Sequence, residues 1–336
     1  MRFKARRLVV NLAAVAALAP GALLHAQSFP AKPVRIIVPF PAGGPSDLLT
    51  RMMAPKLTEI WSQQITVDNR PGAGTIIGTE IGAKAPPDGY TIALVSTGHA
   101  TNPGLHSKLP YDTLADFAPV TLGTTLPMII VAHPSFAAHS FREFIALAKA
   151  RPGEIGFATS GNGTTGHLGG ELLKSVARIN LVHIPYKGSA PAIADVLGGQ
   201  VATTFDGLPA ALPHVQAGKL NAFAVMSTER SPLLPNVVTV AESGYPGYSA
   251  DSWFGFVVPA KTPPAVVRQL NADMVKVVKM PEIRDRLIAM GYRPIANTSE
   301  EFDVFIRAEI AKWAKVIKRI PARSSIRYEC EPSRKT

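Results

Sequence analysis

The feature that most constrains the fold is a repeated order of short β-branched run, glycine-rich loop and amphipathic helix pattern. Val34 to Pro39 is such a run, "PFPAGGPSD" follows it, and apolar residues then recur at helical spacing from Leu48 to Leu57. Strands are predicted again at 65–67, 89–97, 128–134, 154–160, 181–188, 201–207, 221–227 and 254–260, and helices at 75–85, 140–150, 165–177, 190–197, 209–217 and 263–318. This alternation predicts an α/β fold with a largely parallel sheet, which binds ligands at the carboxyl ends of its strands.

The alternation restarts near Met128. Residues 128–227 contain two strand, glycine-loop and helix units that are much like those of residues 34–97. A chain of 336 residues can also fill two cores of ordinary size. We therefore expect two lobes, one formed by residues 27–125 plus 252–318 and the other by residues 126–251. The predicted hinge lies where the chain crosses, near Thr124 to Met128 and near Ala250 to Trp253.

The amino terminus has the pattern of an export signal. Four basic residues precede an apolar stretch from Leu8 to Leu24, and Ala26 offers a small residue before a cut at Gln27. An uncleaved membrane anchor is the alternative, but it usually needs about 20 unbroken apolar residues, and Pro20 interrupts this stretch. We expect residues 1–26 to be a signal peptide and the mature protein to be periplasmic. Cys330 is the single cysteine, so no internal disulfide is possible.

The net charge of +11 is concentrated at the two ends of the chain. Residues 1–26 carry four bases and no acids, and residues 318–336 carry six bases and two acids, which leaves +3 for the rest. No basic stripe interleaved with aromatic residues runs through the middle. The sequence therefore gives no indication of nucleic-acid binding.

One loop matches the GxGxxG pattern of dinucleotide-binding proteins, from Gly161 to Gly166 in "FATSGNGTTGHLGGELL". A dinucleotide site also needs an acidic residue at the end of the next strand, which here ends in Tyr186-Lys187. Lys187 could suit a 2′-phosphate, but an exported protein has no obvious supply of that cofactor. We therefore expect no cofactor.

The same loop can hold another anion. The free N–H groups and the dipole at a helix N-terminus bind carboxylates as readily as phosphates. Glycines allow the backbone to approach a ligand, and short hydroxyl side chains add donors. The candidate residues of this second loop are Ser160, Gly161, Gly163, Thr164 and Thr165. The alternative is an ordinary turn in which Thr164 caps the helix.

The first loop, "PFPAGGPSD", repeats the arrangement. Pro45 fits the first helical position and Asp47 the third, where its carboxylate can bond back to the chain and favour the helix dipole. A structural role for Asp47 is the preferred interpretation, because a carboxylate beside an anion site repels the anion unless the ligand also carries an ammonium group. The candidate binding residues of the first loop are Phe40, Ala42, Gly43, Gly44 and Asp47.

Six further polar or aromatic residues follow predicted strands or begin predicted helices. Each has an ordinary structural alternative as a cap, a turn or a solvated strand end. They are Thr97, His99, His167, Tyr186, Lys187 and Asp206. The histidines show no metal-binding spacing, and Ser160 does not lie in a GxSxG elbow. We therefore expect no metal and no catalytic residue.

Several motifs together resemble the Bug family of periplasmic solute receptors of tripartite tricarboxylate transporters. The resemblance covers about Phe29 to Ile317 and rests on these motifs in order: "AKPVRIIVPFPAGGPSDLLTRMMAPKL", "VDNRPGAGTIIGTEIGAKAPPDGYTI", "DFAPVTL", "GNGTTGHLGGELL", "IPYKGSAPAIADVLGGQV", "HVQAGKLNAFAV" and "WFGFVVPAKTPPAVV".

The resemblance implies a type II-like periplasmic binding protein fold, with two lobes that each contain a mainly parallel sheet flanked by helices. It implies a monomer that closes on a small carboxylate and delivers it to membrane permease subunits. Ligands of this family include dicarboxylates, tricarboxylates, amino acids and aromatic acids. The family holds ligand carboxylates with one loop from each lobe, which here are residues 40–47 and 160–165.

Two other functions are compatible with parts of the sequence. A sensor partner of a two-component signalling system would have the same cleft, and an exported hydrolase would need a nucleophile and base that the sequence does not reveal. The end of the chain, residues 319–336, shows no helical period and departs from the family pattern. We interpret it as an atypical tail, from a shifted reading frame or a foreign sequence.

Overall fold

The computed structural model describes residues 29–319, and the strands of this region form two sheets. The first sheet has the order β11-β4-β10-β3-β1-β2 and consists of β1 (Val34–Val38), β2 (Ile65–Asn69), β3 (Thr91–Ser96), β4 (Phe117–Leu126), β10 (Ser252–Pro259) and β11 (Arg293–Pro294). The second has the order β7-β6-β8-β5-β9 and consists of β5 (Met128–Ala132), β6 (Gly156–Thr159), β7 (Val182–Pro185), β8 (Thr203–Gly207) and β9 (Asn221–Val225). The predicted α/β fold with two sheets is confirmed.

Helices flank both sheets. They are α1 (Pro45–Trp61), α2 (Ile76–Ala83), α3 (Thr97–Leu105), α4 (Phe141–Ala150), α5 (Thr165–Ala177), α6 (Ser189–Leu197), α7 (Leu208–Gln216), α8 (Pro264–Lys279), α9 (Pro281–Ala289) and α10 (Ser299–Arg319). In this part of the chain no helix combines the length and the apolar character that a membrane span requires. The predicted signal peptide and residues 320–336 of the predicted tail lie outside the described residues.

In each sheet four strands run in the same direction, and one antiparallel strand lies between two of these four. In the first sheet β1 runs parallel to β2 and β3, while β10 is antiparallel to both β3 and β4. In the second sheet β6 runs parallel to β7 and β8, while β5 is antiparallel to both β8 and β9. Because parallel strands end at one edge of a sheet, the loops after β1, β3, β6, β7 and β8 gather at these edges.

The chain passes between the sheets twice, at adjacent places. Leu126 pairs with Ser252 at the ends of β4 and β10 in the first sheet. In the second sheet the N–H of Met226 donates to the carbonyl of Met128 at 2.8 Å, and the N–H of Ala250 donates to the carbonyl of Met226 at 2.9 Å. The two crossing segments therefore run side by side.

Two apolar clusters position the strands of the first sheet. On one face, Ile36 of β1 and Leu94 of β3 pack with Leu49 of α1 and Met274 of α8. The other cluster continues into the second sheet, because it joins residues of α10 to residues of α5. We call the elements around the first sheet the first half of the molecule and those around the second sheet the second half. Helix α10 thus packs against both halves.

Two elements of the structure were not predicted, while the helices predicted within residues 263–318 are present as three separate helices. Residues 97–105 form helix α3, which was not predicted because Gly98, Pro103 and Gly104 lie within it. Residues 117–126 form the longest strand, which was also missed. The predicted helical region from Pro263 onward is divided at Met280 and again by β11, since prolines follow at both places.

Candidate ligand-binding site

The first glycine loop connects the carboxyl end of β1 to helix α1. Gly43 has a φ of 81°, which favours glycine, and its N–H donates to Oδ2 of Asp47 at 2.8 Å. Arg51 donates to the same carboxylate at 2.9 Å, and Nδ2 of Asn69 donates to its Oδ1 at 3.0 Å. Asp47 therefore holds the shape of the loop through three donors, as the structural interpretation predicted.

Asp47 remains charged because of these partners. Burial by itself raises the pKa of the carboxyl, but the hydrogen bonds from Arg51, the Gly43 N–H and Asn69 hold the pKa below its ordinary value. The loop also has an exposed rim at Ala42. The ring of Phe40 packs edge-on against Phe254, with 6.3 Å between ring centroids.

Helix α1 begins without a side-chain cap. Its N-cap residue is Gly44, which has no side chain to accept a hydrogen bond, and Pro45 follows as the first helical residue. The N–H groups of Ser46 and Asp47 lie in the first turn, where an α-helix offers no internal acceptor. The start of α1 is therefore suited to an anion.

The second glycine loop connects β6 to helix α5. Gly161 has a φ of 142° and Gly163 a φ of 72°, so both need the freedom of glycine. The N-cap residue of α5 is Thr164, but its hydroxyl donates to the carbonyl of Gly161 at 2.7 Å. The side chain of Thr164 accepts no hydrogen bond from α5, and the first N–H groups of the helix have no acceptor within the helix.

His167 and His183 lie beneath the second loop. Their rings stack with centroids 3.7 Å apart and planes 9° apart. Nδ1 of His167 accepts the N–H of Gly163 at 3.0 Å, and Nε2 of His183 lies 2.7 Å from the hydroxyl of Thr159. His167 was predicted to donate to an anion or to cap the helix; the structure instead turns it inward as an acceptor.

Both histidines are neutral. Burial, followed by repulsion from His183 when that ring is protonated and from Lys174, lowers the pKa of His167 to about 3. Burial and Lys174 lower the pKa of His183 to about 4. Neither His183 nor Thr159 was among the predicted site residues. The available signal was that each is a polar residue within an otherwise apolar strand.

Tyr186 and Lys187 follow β7 at the edge of the second sheet. The hydroxyl of Tyr186 donates to Oδ2 of Asp195 at 2.5 Å, and this hydrogen bond, with burial, raises the pKa of Tyr186 to about 12. Lys187 is exposed and has no ion pair or hydrogen bond within residues 29–319. Lys187 is therefore a cation available to a ligand, while Tyr186 has a partner on α6.

Asp206 ends β8 at the same edge and is buried. Its Oδ1 accepts the hydroxyl of Ser189 at 2.6 Å and the N–H of Gly207 at 2.7 Å. Its Oδ2 has no hydrogen-bond partner among the described residues. Burial raises the pKa of Asp206 to about 6, although both hydrogen bonds oppose this effect. Asp206 anchors the start of α6, and its carboxyl is poorly solvated.

Two predicted residues begin helix α3 in the first half. The hydroxyl of Thr97 lies 3.3 Å from that of Ser252, which begins β10. His99 is buried, and its ring lies against Tyr111 and Phe117, with centroids 6.5 and 5.1 Å away. Its burial lowers its pKa to about 4. The structure does not bring His99 to either loop, because its ring completes an aromatic cluster of the core.

The two edges approach each other. A Cβ built on Gly163 would lie 3.1 Å from Cδ1 of Leu105, the last residue of α3. Further along, Arg293 of the first half lies 3.7 Å from the carboxylate of Glu229 in the second. The second loop thus lies against α3, the helix that follows β3.

Two α/β halves joined by adjacent crossings, each with a glycine loop that leads from a strand into a helix without an N-cap hydrogen bond, form the arrangement of a solute-binding protein. No group of three or more His, Cys, Asp or Glu side chains in residues 29–319 is arranged to hold a metal ion. The family model described as "Tripartite tricarboxylate transporter family receptor" matches residues 49–321. The chain belongs to this family of receptors.

Individual relatives agree with this assignment. Protein BugT of Bordetella pertussis is 38% identical over 304 residues, which cover 89% of this chain and 93% of BugT. The structure of R. palustris Rpa4515 with adipate is 36% identical with a TM-score of 0.82, and covers 86% of this chain and 97% of that protein. MatC of Rhodopseudomonas palustris with bound malate is 29% identical with a TM-score of 0.79, and covers 86% of this chain and 100% of MatC. The resemblance to the Bug family is confirmed, as is the prediction of a receptor and not an enzyme.

Proposed function

We propose that this protein captures a small dicarboxylate between two lobes and delivers it to the permease of a tripartite tricarboxylate transporter. The observation that carries the proposal is the pair of glycine loops. Each loop leads into a helix of which the N-cap residue, Gly44 or Thr164, accepts no hydrogen bond from the helix. Two helix N-termini at adjoining edges suit a ligand with a carboxylate at each end.

The comparisons support the choice of a dicarboxylate. Two relatives with known structures carry adipate and malate, which differ in length but share two carboxylates. In this chain, we propose that the ligand carboxylates receive N–H groups from the first turns of α1 and α5. Lys187 supplies a positive charge at the rim of the second half.

The proposed motion is a hinge closure at the two crossings. Pro127 lies between β4 and β5, and Asp251 lies just before β10, so a change in these two segments rotates one half relative to the other. The lobes would be residues 27–125 plus 252–318 and residues 126–251. We further propose that the receptor acts as a monomer in the periplasm, after removal of residues 1–26.

A thermal-shift screen of residues 27–336 tests the ligand class. The panel contains linear dicarboxylates of four to eight carbons with and without a 2-hydroxyl, together with citrate, aspartate, glutamate and benzoate. A dicarboxylate at about 100 times its Kd should stabilise the protein by about 2.7 kcal/mol. A shift with none of these acids would contradict the proposal.

Paired N-cap variants test the site. In Thr164→Asp, the new carboxylate occupies the helix N–H groups that the ligand needs, yet Asp is a favoured N-cap residue. In Gly44→Asp, the backbone is already extended with φ −77°, and the nearest atom to a new Cβ is the carbonyl oxygen of Pro41 at 3.5 Å. Each variant should raise the Kd by tenfold or more while the unliganded melting temperature is unchanged or higher.

Neutral controls separate charge from shape. Thr164→Ala and Gly44→Ala alter the same positions without an anion, so their Kd should stay close to that of the wild type. Equal losses in the Ala and Asp variants would show that the N-termini do not bind the carboxylates. Binding that couples to a sensor kinase, with no uptake defect in a deletion strain, would favour the signalling alternative over delivery to a permease.

A further inference from the structure

The second glycine loop is supported by two histidines that the ligand itself does not need. Nδ1 of His167 accepts the N–H of Gly163 at 3.0 Å, so this N–H is unavailable to a ligand. The hydroxyl of Thr159 accepts the N–H of Gly161 at 3.3 Å and lies 2.7 Å from Nε2 of His183. Each positive-φ glycine of the loop is therefore linked to one histidine. Gly163 is bonded directly to His167, and Gly161 is linked to His183 through Thr159.

The two supports form one unit. The rings of His167 and His183 are parallel within 9° and 3.7 Å apart, although the residues belong to α5 and β7. The ring of His183 also packs against Phe157 on β6, with 5.1 Å between centroids. The two residues that support the loop are therefore in direct contact with each other.

We propose that His167 and His183 are positioning residues for ligand binding: as a stacked neutral pair they hold the loop at Gly161 and Gly163 in the conformation that presents the start of α5 to a carboxylate. This inference rests on the proposed function. It assigns the histidines no contact with the ligand, which distinguishes it from the expectation that His167 donates to the anion.

The surroundings of the pair favour the neutral form. The charged groups on α5 are Lys174 and Glu171, which pair at 2.7 Å, and Lys174 contributes to lowering the pKa of both histidines. The groups that β6 and β8 bring to this face are the apolar rings of Phe157 and Phe205. Lys312 of α10 lies near Leu172 and is paired with Glu309.

The carboxylate of Asp206 does not offset the positive charge of Lys174, because Asp206 lies on the other face of the second sheet. Side chains alternate along a strand, and Phe205 already faces α5. Asp206 instead bonds Ser189 on α6. A proton on His167 would turn its Nδ1 from an acceptor into a donor and would remove the bond from Gly163. We therefore expect that protonation of this pair does not change ligand affinity between pH 8 and pH 5.

Substitutions at His167 separate the hydrogen bond from the packing. Oδ1 of Asn can occupy the place of Nδ1, so His167→Asn keeps the acceptor and loses the ring. Phe keeps the ring stack and loses the acceptor. An unpaired buried N–H reduces the population of the competent loop, and the Kd depends on that population. His167→Phe should raise the Kd about tenfold, whereas His167→Asn should stay within about threefold of the wild type.

His133 offers a matched control. Its Nδ1 also accepts a backbone N–H, that of Ser135 at 3.2 Å. It follows β5, which runs antiparallel to β8, so it lies at the edge of the second sheet that is opposite to the loop. His133→Phe should leave the Kd unchanged. A loss in His133→Phe equal to that in His167→Phe would overturn the positioning role, as would equal losses in the Asn and Phe variants at 167.

Nuclear magnetic resonance of the unliganded protein tests the pair without any ligand. Since Gly163 donates to Nδ1, the imidazole ¹⁵N shifts of His167 should show an unprotonated Nδ1 and a protonated Nε2 from pH 8 to pH 5. The amide of Gly163 should exchange with solvent much faster in His167→Phe than in His167→Asn. If no acid binds the wild type but the ¹⁵N shifts and the exchange rates are as expected, the proposed ligand class is wrong, while the hydrogen bond by which His167 supports the loop is retained. A protonated Nδ1 at pH 7 would overturn the support itself.

Discussion

Gly166, the third glycine of the GxGxxG pattern, gives a direct test of how the second loop is positioned. It lies in the first turn of α5, where the helix packs against β8. A Cβ built on Gly166 would lie 3.2 Å from the carbonyl carbon of Phe205 and far closer than van der Waals contact to its oxygen. The obstacle is backbone of a central strand, so the helix has to move. Gly166→Ala therefore forces α5 away from the sheet.

Two opposing effects determine the magnitude. Replacing Gly by Ala within a helix favours folding by about 1 kcal/mol. Overpacking of a close contact costs about 1–3 kcal/mol, and here the shift also loosens Leu168 and Leu173, both fully buried. We expect a net loss of about 1 kcal/mol in the free energy of unfolding, which corresponds to a melting temperature lower by about 2–4 °C.

Gly198→Ala is the matched control for the measurement. Gly198 ends α6 with φ −80°, and the nearest atom to a new Cβ is the carbonyl oxygen of Ala194 at 3.4 Å, an ordinary contact. This variant should be unchanged or stabilised by up to about 1 kcal/mol. The melting temperatures of both variants, measured by differential scanning fluorimetry, test this prediction. A Gly166→Ala protein as stable as Gly198→Ala would refute the close-packing argument.

Two further predictions concern buried carboxyl groups. Oε2 of Glu309 accepts the indole N–H groups of Trp253 at 3.1 Å and Trp313 at 2.9 Å. In urea titrations, Glu309→Ala should lower the free energy of unfolding by about 2–4 kcal/mol, and Glu309→Gln, which keeps an acceptor, by less than half as much. Equal losses in the two variants would contradict this account. The pKa of Asp206 is raised to about 6, so the folded state binds more protons than the unfolded state above pH 4, and stability falls as the pH rises to 6. Asp206→Asn should therefore melt higher than the wild type at pH 8, by the equivalent of about 2 kcal/mol, and the difference should vanish near pH 4; a difference that is independent of pH would contradict the assignment.

Local sequence signals predicted the elements whose causes are local. The β-branched run at β1, the glycines after it and the proline at the first position of α1 each act over a few residues, and the structure has all three. Helix α3 was missed because its stability comes from elsewhere in the chain. A Cβ on Gly104 would lie 2.9 Å from Cδ1 of Ile317, so this glycine, which argues against a helix in the sequence, is the residue that allows α10 to pack closely.

The same distinction applies to the site. The glycine loops were recognisable because a positive φ or a close approach restricts the residue type at single positions. The stacked histidines were not, because His167 and His183 meet only when α5 lies over β7. A histidine in an apolar strand indicates a polar partner, but the sequence does not identify that partner before the fold is known.

The GxGxxG pattern is explained here without a nucleotide. Gly161 and Gly163 have positive φ, and Gly166 lets α5 approach β8, so each glycine serves the geometry of a strand that turns directly into a helix. That geometry also leaves the helix N-terminus open to an anion, whether phosphate or carboxylate. The residues around the loop then decide the ligand. A dinucleotide site would place an acidic residue for the ribose at the end of the next strand. At that place this chain has Tyr186, which is hydrogen-bonded to Asp195, and the exposed Lys187. A positive charge that has no partner among the described residues favours a carboxylate over a ribose hydroxyl at that position.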